Sequence, residues 1–236
     1  MAENLNTLGL IGGMTWHSTE DYYRYLNEAI GEDAGGYHSA PLMIHSVDFD
    51  LIDQLMRAGQ WDVIGDLMES SARRLHGAGV DGMAMSSNTI HKVADRVEGV
   101  IDVPFLHIVE PTAEAIKQAD VGRVALLGTA TTMSEDFYKG RLAYLHGLEV
   151  DVPDEGEQAE INRIIFDELG YGHVVPESRD GILRVIDRMS QAGSKGVILG
   201  CTELGEIVKA DDTDVQLFDT TSLHTAALAD FILDRN

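Results

Sequence analysis

The chain has 236 residues, of which 44% are hydrophobic, so it can bury the core of one large domain or of two small ones. Its formal net charge of −23, from 40 acidic against 17 basic residues, repels phosphate backbones and excludes nucleic acid as a partner. No apolar run is long enough to cross a bilayer, the first residues lack a basic leader, and a single cysteine fits a reducing compartment. We therefore expect a cytoplasmic protein without a membrane partner.

Taken in chain order, short apolar runs alternate with amphipathic segments. In the first half we predict strands at 8–11, 42–47, 82–85 and 105–108. Helices are predicted there at 21–29, with a start near 18–21, and at 62–76. In the second half we predict strands at 123–129, 148–152, 196–200 and 215–218, and helices at 111–118, 137–145, 161–169, 181–192 and 223–233. Strands that alternate with helices predict an α/β fold with mainly parallel sheets.

An internal repeat suggests that the fold is duplicated. Residues 78–88 align without a gap over 192–202, which places Ser87 opposite Cys201, and 8–13 align over 124–129. We predict two pseudosymmetric α/β lobes: residues 1–110 with 212–236 form the N-terminal lobe, and 111–211 form the C-terminal lobe. Ligands of open parallel sheets bind beyond the carboxyl ends of the strands, so we expect the active site in the cleft between the lobes.

Cys201 is the only cysteine and ends a predicted strand. Buried cysteines are common, and a structural role is the simplest interpretation of one taken alone. Its position before a predicted helix changes that interpretation, because backbone N–H groups at a helix start lower the pKa of a thiol. We therefore predict a catalytic thiolate.

Ser87 is the residue of the first lobe that corresponds to Cys201. A serine at a strand end is commonly a helix N-cap, and a hydroxyl is too weakly acidic to act as a base unaided. His91 could assist Ser87, although a single histidine on a helix is more often structural. The internal repeat favours a functional role for Ser87.

Familiar cofactor motifs are missing from the sequence. Gly12 and Gly13 do not complete a dinucleotide fingerprint, and neither a phosphate-binding lysine loop nor an H-x-x-x-H pair occurs. The acidic run 211–214 lacks the glycine and the final glutamate of a calcium loop. We expect neither a cofactor nor a metal.

Five short stretches together resemble the aspartate/glutamate racemase family. They are Gly12-Gly13-Met14, Ser87-Asn88-Thr89-Ile90-His91, Leu127-Gly128-Thr129, Gly200-Cys201-Thr202-Glu203 and Phe218-Asp219-Thr220. The resemblance runs in order from residue 8 to about residue 230. Residues 14–16 and 45–49 make the chain most similar to the L-aspartate/glutamate-specific branch.

The resemblance implies a cofactor-independent racemase that holds a small amino acid between two bases, one from each lobe, and that forms a homodimer. Cys201 would remove the α-proton from one face, and Ser87, or a water that it holds, would return a proton to the other. Most members carry two cysteines, whereas this chain has Ser87 in the first motif, as the L-specific branch has a hydroxyl residue there. Asymmetric kinetics with preference for the L enantiomer are expected.

The expected substrate-binding residues come from the same turns: Met14, Asn88, Thr89, Thr129, Thr132, Thr202 and Glu203. Backbone N–H groups around residues 88, 89, 202 and 203 would stabilise the dianionic carboxylate that develops as the α-proton leaves. Two alternatives remain open at this point. A single thiol also suits a decarboxylase or isomerase of a related dicarboxylate, and the missing cysteine suits an impaired amino-acid-binding protein.

Overall fold

The computed structural model describes residues 5–235, and its contacts divide the chain into two compact units. The first unit comprises Met1–Ile108 with His224–Asn236, and the second comprises Val109–Leu223. The first few residues, whose composition argued against a secretory leader, lie partly outside the described range.

The first unit is built on a parallel sheet with the strand order β2-β1-β3. Its strands are β1 (Leu8–Gly12), β2 (Leu42–Ser46) and β3 (Gly82–Met85). Its helices are α1 (Trp16–Ala34), α2 (Phe49–Arg57), α3 (Trp61–Gly77) and α4 (Ala94–Glu98), with a 3₁₀ turn at Thr89–Val93. The central strand β1 is buried along its whole length, as expected for a strand covered on both faces.

The second unit repeats this design with one more strand, in the parallel order β5-β4-β6-β7. The strands are β4 (Arg123–Gly128), β5 (Glu149–Asp151), β6 (Gly196–Gly200) and β7 (Gln216–Asp219). The helices are α5 (Val109–Gln118), α6 (Ala130–Ser134), α7 (Asp136–His146), α8 (Glu155–Asp167), α9 (Pro176–Gln191) and α10 (Leu204–Ile207). The last helix, α11 (Thr220–Ile232), contains the division at residues 223 and 224.

The strand registers agree with the internal repeat. Ile11 of β1 lies opposite Met85 of β3, and Leu127 of β4 lies opposite Leu199 of β6. These are the partners that the gapless alignment relates to each other, so the residues two positions beyond, Ser87 and Cys201, leave corresponding strands at corresponding points.

Each sheet is covered by apolar helix faces. In the first unit, Ile11, Met83 and Met85 pack in one cluster with residues of α2, α3 and α4, whereas Leu10 and Ala84 pack in another with residues of α1 and α11. In the second unit a large cluster joins β4 and β6 to α8 and α9. Burial of these apolar side chains is the main source of stability, and it fixes where the strand ends lie.

The second lobe boundary predicted from the sequence is wrong. Residues 212–223 were assigned to the first lobe, but β7 pairs with β6 along Gly196–Leu199 and therefore belongs to the second unit. Only the C-terminal part of α11 packs in the first unit, where Leu228 and Ile232 lie in the core beside Leu8. The first boundary, at 108 rather than 110, differs only slightly.

Two local predictions also need correction. The predicted strand at 105–108 is reduced to a single bridge between Phe105 and Met83. The first helix begins at Trp16 rather than near residue 18, because Thr15 accepts a hydrogen bond from the Ser18 N–H and acts as the N-cap.

Across residues 5–235, no helix has the length and apolar character that spanning a membrane requires.

Candidate active site

The turn between β1 and α1 depends on Gly13. Its φ of 91° lies in the left-handed region, and a Cβ atom there would stand 2.3 Å from the Val47 carbonyl oxygen, so only glycine fits. The Gly13 N–H donates to Thr19 Oγ1 at 2.7 Å. Met14, which follows, is buried in the apolar cluster that contains Ile11. The structure therefore gives Met14 a packing role, and its predicted role at the substrate stays a prediction.

The adjacent strand β3 ends in a turn that hydroxyl groups of α1 support. The Ser86 N–H donates to the Ile11 carbonyl, which continues the sheet pairing by one residue. Ser18 Oγ donates to the Ser86 carbonyl at 3.1 Å, and Thr19 Oγ1 lies 3.3 Å from Ser86 Oγ. These buried hydrogen bonds fix the position at which Ser87 leaves the sheet.

Ser87 is nearly buried and serves the local backbone. Its Oγ accepts a hydrogen bond from the Ile90 N–H at 3.4 Å, which is the capping interaction considered for a serine at this position. Its carbonyl oxygen lies 2.6 Å from His91 Nδ1. Asn88 and Thr89, also buried, continue into the 3₁₀ turn.

His91 is neutral and carries its proton on Nδ1. Its Nε2 accepts from the Ile108 N–H at 3.3 Å, so the hydrogen on the other nitrogen, Nδ1, is donated to the Ser87 carbonyl. Because the backbone engages both nitrogens, His91 supports the turn and is not placed to take the Ser87 hydroxyl proton. The hypothesis that His91 assists Ser87 as a base is wrong for this arrangement.

A second buried histidine lies behind the same turn. Tyr22 OH lies 2.8 Å from His224 Nδ1, and His224 Nε2 lies 2.9 Å from the Leu106 carbonyl oxygen. A carbonyl only accepts, so His224 carries its proton on Nε2 and accepts the Tyr22 hydroxyl hydrogen at Nδ1. Burial lowers the pKa of His224 to about 4, and its bond to Leu106 opposes that shift. Sequence reasoning gave no role to this pair.

In the second unit, β4 and β6 approach closely where they end. A Cβ atom on Gly128 would stand 2.8 Å from the Gly200 carbonyl oxygen, and one on Gly200 would stand 2.9 Å from the Leu127 carbonyl oxygen. Glycine at both positions therefore permits the tight packing that places Cys201 and Thr129 on neighbouring turns.

Cys201 is buried and donates its thiol hydrogen to Glu203 Oε2 at 3.0 Å. Thr202 Oγ1 donates to the same carboxylate oxygen at 2.7 Å. The carboxylate was expected to bind substrate; the structure instead shows it in contact with the candidate base. The spacing of a cysteine and a glutamate two residues apart was the only signal for this contact, and it does not specify a side-chain direction.

The expectation that the Cys201 thiol has a lowered pKa is wrong in this state. Burial raises the pKa of the thiol well above its usual value, and both the charge of Glu203 and the hydrogen bond to it raise that pKa further. Backbone N–H groups of Glu203 and Thr202 hydrogen-bond to the sulfur and lower its pKa by less. Cys201 is therefore a protonated thiol, and the following helix, α10, has only four residues.

Thr129 caps α6, because its Oγ1 accepts from the Thr132 N–H at 3.3 Å. The two hydroxyl oxygens of Thr129 and Thr132 lie 3.0 Å apart. Thr129 follows β4 and Cys201 follows the neighbouring strand β6, so these candidate residues share one edge of the second sheet.

The predicted site residues thus form two groups, one in each unit. Met14, Ser87, Asn88 and Thr89 lie at the carboxyl ends of β1 and β3, and Thr129, Thr132, Cys201, Thr202 and Glu203 lie at the carboxyl ends of β4 and β6. Every one of them is buried or nearly so. One group offers a hydroxyl, and the other a thiol with a carboxylate acceptor.

Comparison with known proteins assigns the class. The profile of the Asp/Glu/Hydantoin racemase family matches residues 11–228. The crystal structure of a protein from Yersinia pestis proposed to be an Asp/Glu racemase is 44% identical, with a TM-score of 0.90 over 97% of this chain and 100% of that one. An aspartate racemase homologue from Pyrococcus horikoshii OT3 is 36% identical, with a TM-score of 0.83 over 97% of this chain and 99% of that one.

Among the curated relatives, a protein of Bacillus subtilis named broad specificity amino-acid racemase RacX is 24% identical over 64% of this chain and 64% of its own length. With the family profile covering most of the chain, the protein belongs to the Asp/Glu/hydantoin racemase family. It is an amino-acid racemase, and the fold class and the family resemblance predicted from the sequence are confirmed.

Proposed function

We propose that the protein interconverts the enantiomers of aspartate, glutamate or both without a cofactor, with Cys201 acting on one face of Cα and Ser87 on the other. The observation that carries this proposal is the contact between Cys201 Sγ and Glu203 Oε2, which couples a thiol to a proton acceptor. Support for the acidic substrates comes from the Yersinia and Pyrococcus relatives named for them.

The catalytic cycle begins from the protonated thiol. Cys201 passes its proton from Sγ to Glu203, and the resulting thiolate removes the α-proton of the L enantiomer. The electron pair left on Cα delocalises into the substrate carboxylate. A proton from Ser87, or from a water that it holds, then adds to the opposite face and gives the D enantiomer. Solvent water next returns a proton to Ser87 and takes the proton from Glu203, which restores the starting form of the site.

Stabilisation of the dianionic intermediate falls to backbone N–H groups of the Ser87 and Cys201 turns. Preorganised donors of this kind act without reorganisation and are the usual way to stabilise a developing oxyanion. Thr129 and Thr132 are proposed to hold a substrate carboxylate. The hydrogen bonds from the 202 and 203 N–H groups to Sγ support a second task, stabilisation of the thiolate.

Asymmetry must appear in particular kinetic quantities. Enantiomers have equal free energies in water, so kcat/KM is the same in both directions for any racemase, and preference for the L enantiomer resides in kcat and KM separately. A second sign of asymmetry is solvent deuterium entering recovered L substrate faster than D product forms, because the thiol can return a deuteron to its own face.

The test follows Cα protons by NMR in deuterated water, with both enantiomers of aspartate and glutamate and a chiral assay of the products. Deuterium incorporation with inversion supports the proposal. Release of carbon dioxide would instead identify a decarboxylase, and binding without exchange would identify an impaired binding protein; either result would refute the proposed racemisation.

We also propose that the protein forms a homodimer through the edge strand β2. β2 lies at the end of its sheet, and its Met43 and Ile44 are 36% and 38% exposed. Residues 39–46 carry no acidic side chain, although the whole chain has a net charge of −23, so repulsion between copies is weak at this edge. Light scattering should give a dimer that Ile44→Lys weakens; a monomeric wild type would refute the dimer.

A further inference from the structure

His91 and His224 hydrogen-bond to the backbone near the two places where the chain passes from one unit to the other. Ile108 is the last residue of the first unit before the chain leaves it, and its N–H donates to His91 Nε2. His224 is the residue at which the chain returns, and its Nε2–H donates to the Leu106 carbonyl. Both crossing points are therefore tied to buried imidazole rings of the first unit.

The outgoing segment is also bound to the strand that carries Ser87. The Met83 N–H donates to the Pro104 carbonyl at 2.9 Å, and the Leu106 N–H donates to the Met83 carbonyl at 2.8 Å. The segment 104–108 thus runs beside β3 and is fixed at three successive places by Met83, His224 and His91.

His91 joins this segment to the Ser87 turn directly. One ring nitrogen donates to the Ser87 carbonyl and the other accepts from Ile108, so the imidazole is a rigid link between the two backbones. The His91 and His224 ring centroids are 6.2 Å apart, and the His107 ring lies 4.5 Å from His91 at its edge. A rigid ring with both ends engaged leaves the Ser87 carbonyl little freedom.

We infer that His91 is a positioning residue for Ser87. Its two hydrogen bonds fix the Ser87 turn relative to the segment 104–108, and His224 holds that segment in place. This inference rests on the proposed function, because it assigns to His91 the placement of the group that protonates the face opposite Cys201. His91 itself touches neither the substrate nor the reacting atoms.

Two substitutions separate the two hydrogen bonds of His91. In His91→Asn the amide nitrogen can take the place of Nδ1 and still donate to the Ser87 carbonyl, but the Nε2 acceptor for the Ile108 N–H is lost. In His91→Gln the amide oxygen can take the place of Nε2 and accept from Ile108, but the donor to Ser87 is lost. The two variants make similar changes in polarity and differ in which bond survives.

The main readout is the ratio of inversion to exchange without inversion at Cα in deuterated water. His91→Gln should lower inversion about tenfold and leave exchange at the Cys201 face within about twofold, as expected when one positioned proton donor is displaced. His91→Asn should keep the wild-type ratio. Ser87→Ala serves as the reference for loss of proton donation at that face, and Ser71→Ala, which removes a partly buried hydrogen bond within α3, controls for general destabilisation.

A second readout does not depend on catalysis. Hydrogen exchange at the Ile108 amide should speed up in His91→Asn and stay slow in His91→Gln. If neither variant alters the ratio, or if both lower inversion and exchange equally, the positioning role is refuted. If the wild type neither exchanges nor inverts any amino acid, the proposed function fails, while amide exchange still reports whether His91 ties the segment to the turn.

Tyr22→Phe provides a milder variant should the His91 variants not fold. It removes only the hydroxyl that donates to His224 Nδ1, so His224 can adopt the other tautomer and release Leu106. A fall in the inversion-to-exchange ratio of about twofold is expected. An unchanged ratio, with the Leu106 segment exchanging faster, would refute the inferred link.

Discussion

The Ser87 and Cys201 turns occupy the same place in a repeated topology, yet their surroundings have opposite character. Ser87 leaves β3 among uncharged groups: its Oγ accepts from a backbone N–H, and its carbonyl accepts from a neutral histidine. Cys201 leaves β6 next to a carboxylate that accepts its proton. The fold therefore places a side chain at the end of each strand, and in the proposed mechanism the residue packed against that side chain determines its chemistry.

The proposed mechanism needs only one thiol, because a proton acceptor in contact with Cys201 would let that residue act as a base from the thiol form. The Ser87 hydroxyl is a much weaker acid than the Cys201 thiol, but hydrogen bonds from α1 and from His91 fix the Ser87 turn in place. In this proposal the Cys201 turn depends on the carboxylate that accepts its proton, and the Ser87 turn depends on the hydrogen bonds that fix its position.

Of the changes to the two turns, Cys201→Ala should have the largest effect on activity. It removes the only thiol, and both α-proton exchange and racemisation should fall by about 10³-fold or more, because a positioned acid or base contributes about 10²- to 10⁴-fold. Deuterium incorporation into each enantiomer measures the loss, and Ser71→Ala serves as the control. Near-normal exchange in Cys201→Ala would refute the assigned mechanism.

Lowering the pH should reduce the free energy of unfolding through His224. Its pKa falls from 6.5 to about 4 on folding, so the unfolded chain takes up a proton first as the pH drops, and stability is lost progressively between these values. Between pH 7.5 and pH 5 the loss is about 2 kcal/mol. Tyr22 and His91 are the titratable groups that face this ring.

Urea unfolding at both pH values would measure this effect, with His224→Gln as the comparison. The variant keeps a donor for the Leu106 carbonyl and lacks the titrating ring, so its pH dependence should be smaller by the same amount. An identical pH dependence in the two proteins would contradict the assignment of this ring as buried and neutral.

Glu203→Gln makes the Cys201 turn uncharged, as the Ser87 turn is, and tests whether the carboxylate accounts for the difference between them. Loss of the carboxylate removes two of the causes that raise the pKa of the thiol, so alkylation of Cys201 at pH 8 should become faster. Racemisation should nevertheless fall about tenfold, because the acceptor for the thiol proton is gone. Faster racemisation together with faster alkylation would show that Glu203 only raises the pKa of the thiol and does not accept its proton in catalysis.

Ser87→Cys should make the two turns alike and have the smallest effect. Activity should be kept or raised by a few-fold, and the kcat values for the two enantiomers should approach each other. Progress curves from each enantiomer measure this change. A large loss of activity, with the fold retained, would mean that the hydroxyl has a role that a thiol cannot fill.

Much of the fold was predictable because the strands are short and mostly apolar, and because β1, β4 and β6 each end in a glycine. The repeat placed Ser87 opposite Cys201, and the strand registers bear this out. The start of α8 was missed although Asp154 and Glu157 form a capping box, which is a readable signal. The boundary near residue 212 failed because the pairing of β7 with β6 is a long-range contact.

The chemistry of the site was less predictable. The strand end gave the position of Cys201, but the direction of its pKa shift depended on where Glu203 points. Likewise, the Ser87 motif contains His91, but the motif does not show that both ring nitrogens bond to backbone groups. Such details depend on side-chain rotamers and burial, which no local pattern of residue types encodes.

The hydrogen bond between Cys201 and Glu203 has a consequence for chemical durability. Thiolates attack peroxides and disulfides far faster than thiols do, so a buried thiol held in its protonated form resists oxidation while no substrate is bound. Under the proposed mechanism the protein should therefore keep its activity during storage in air without an added reductant, and its one thiol becomes vulnerable to oxidation only during turnover.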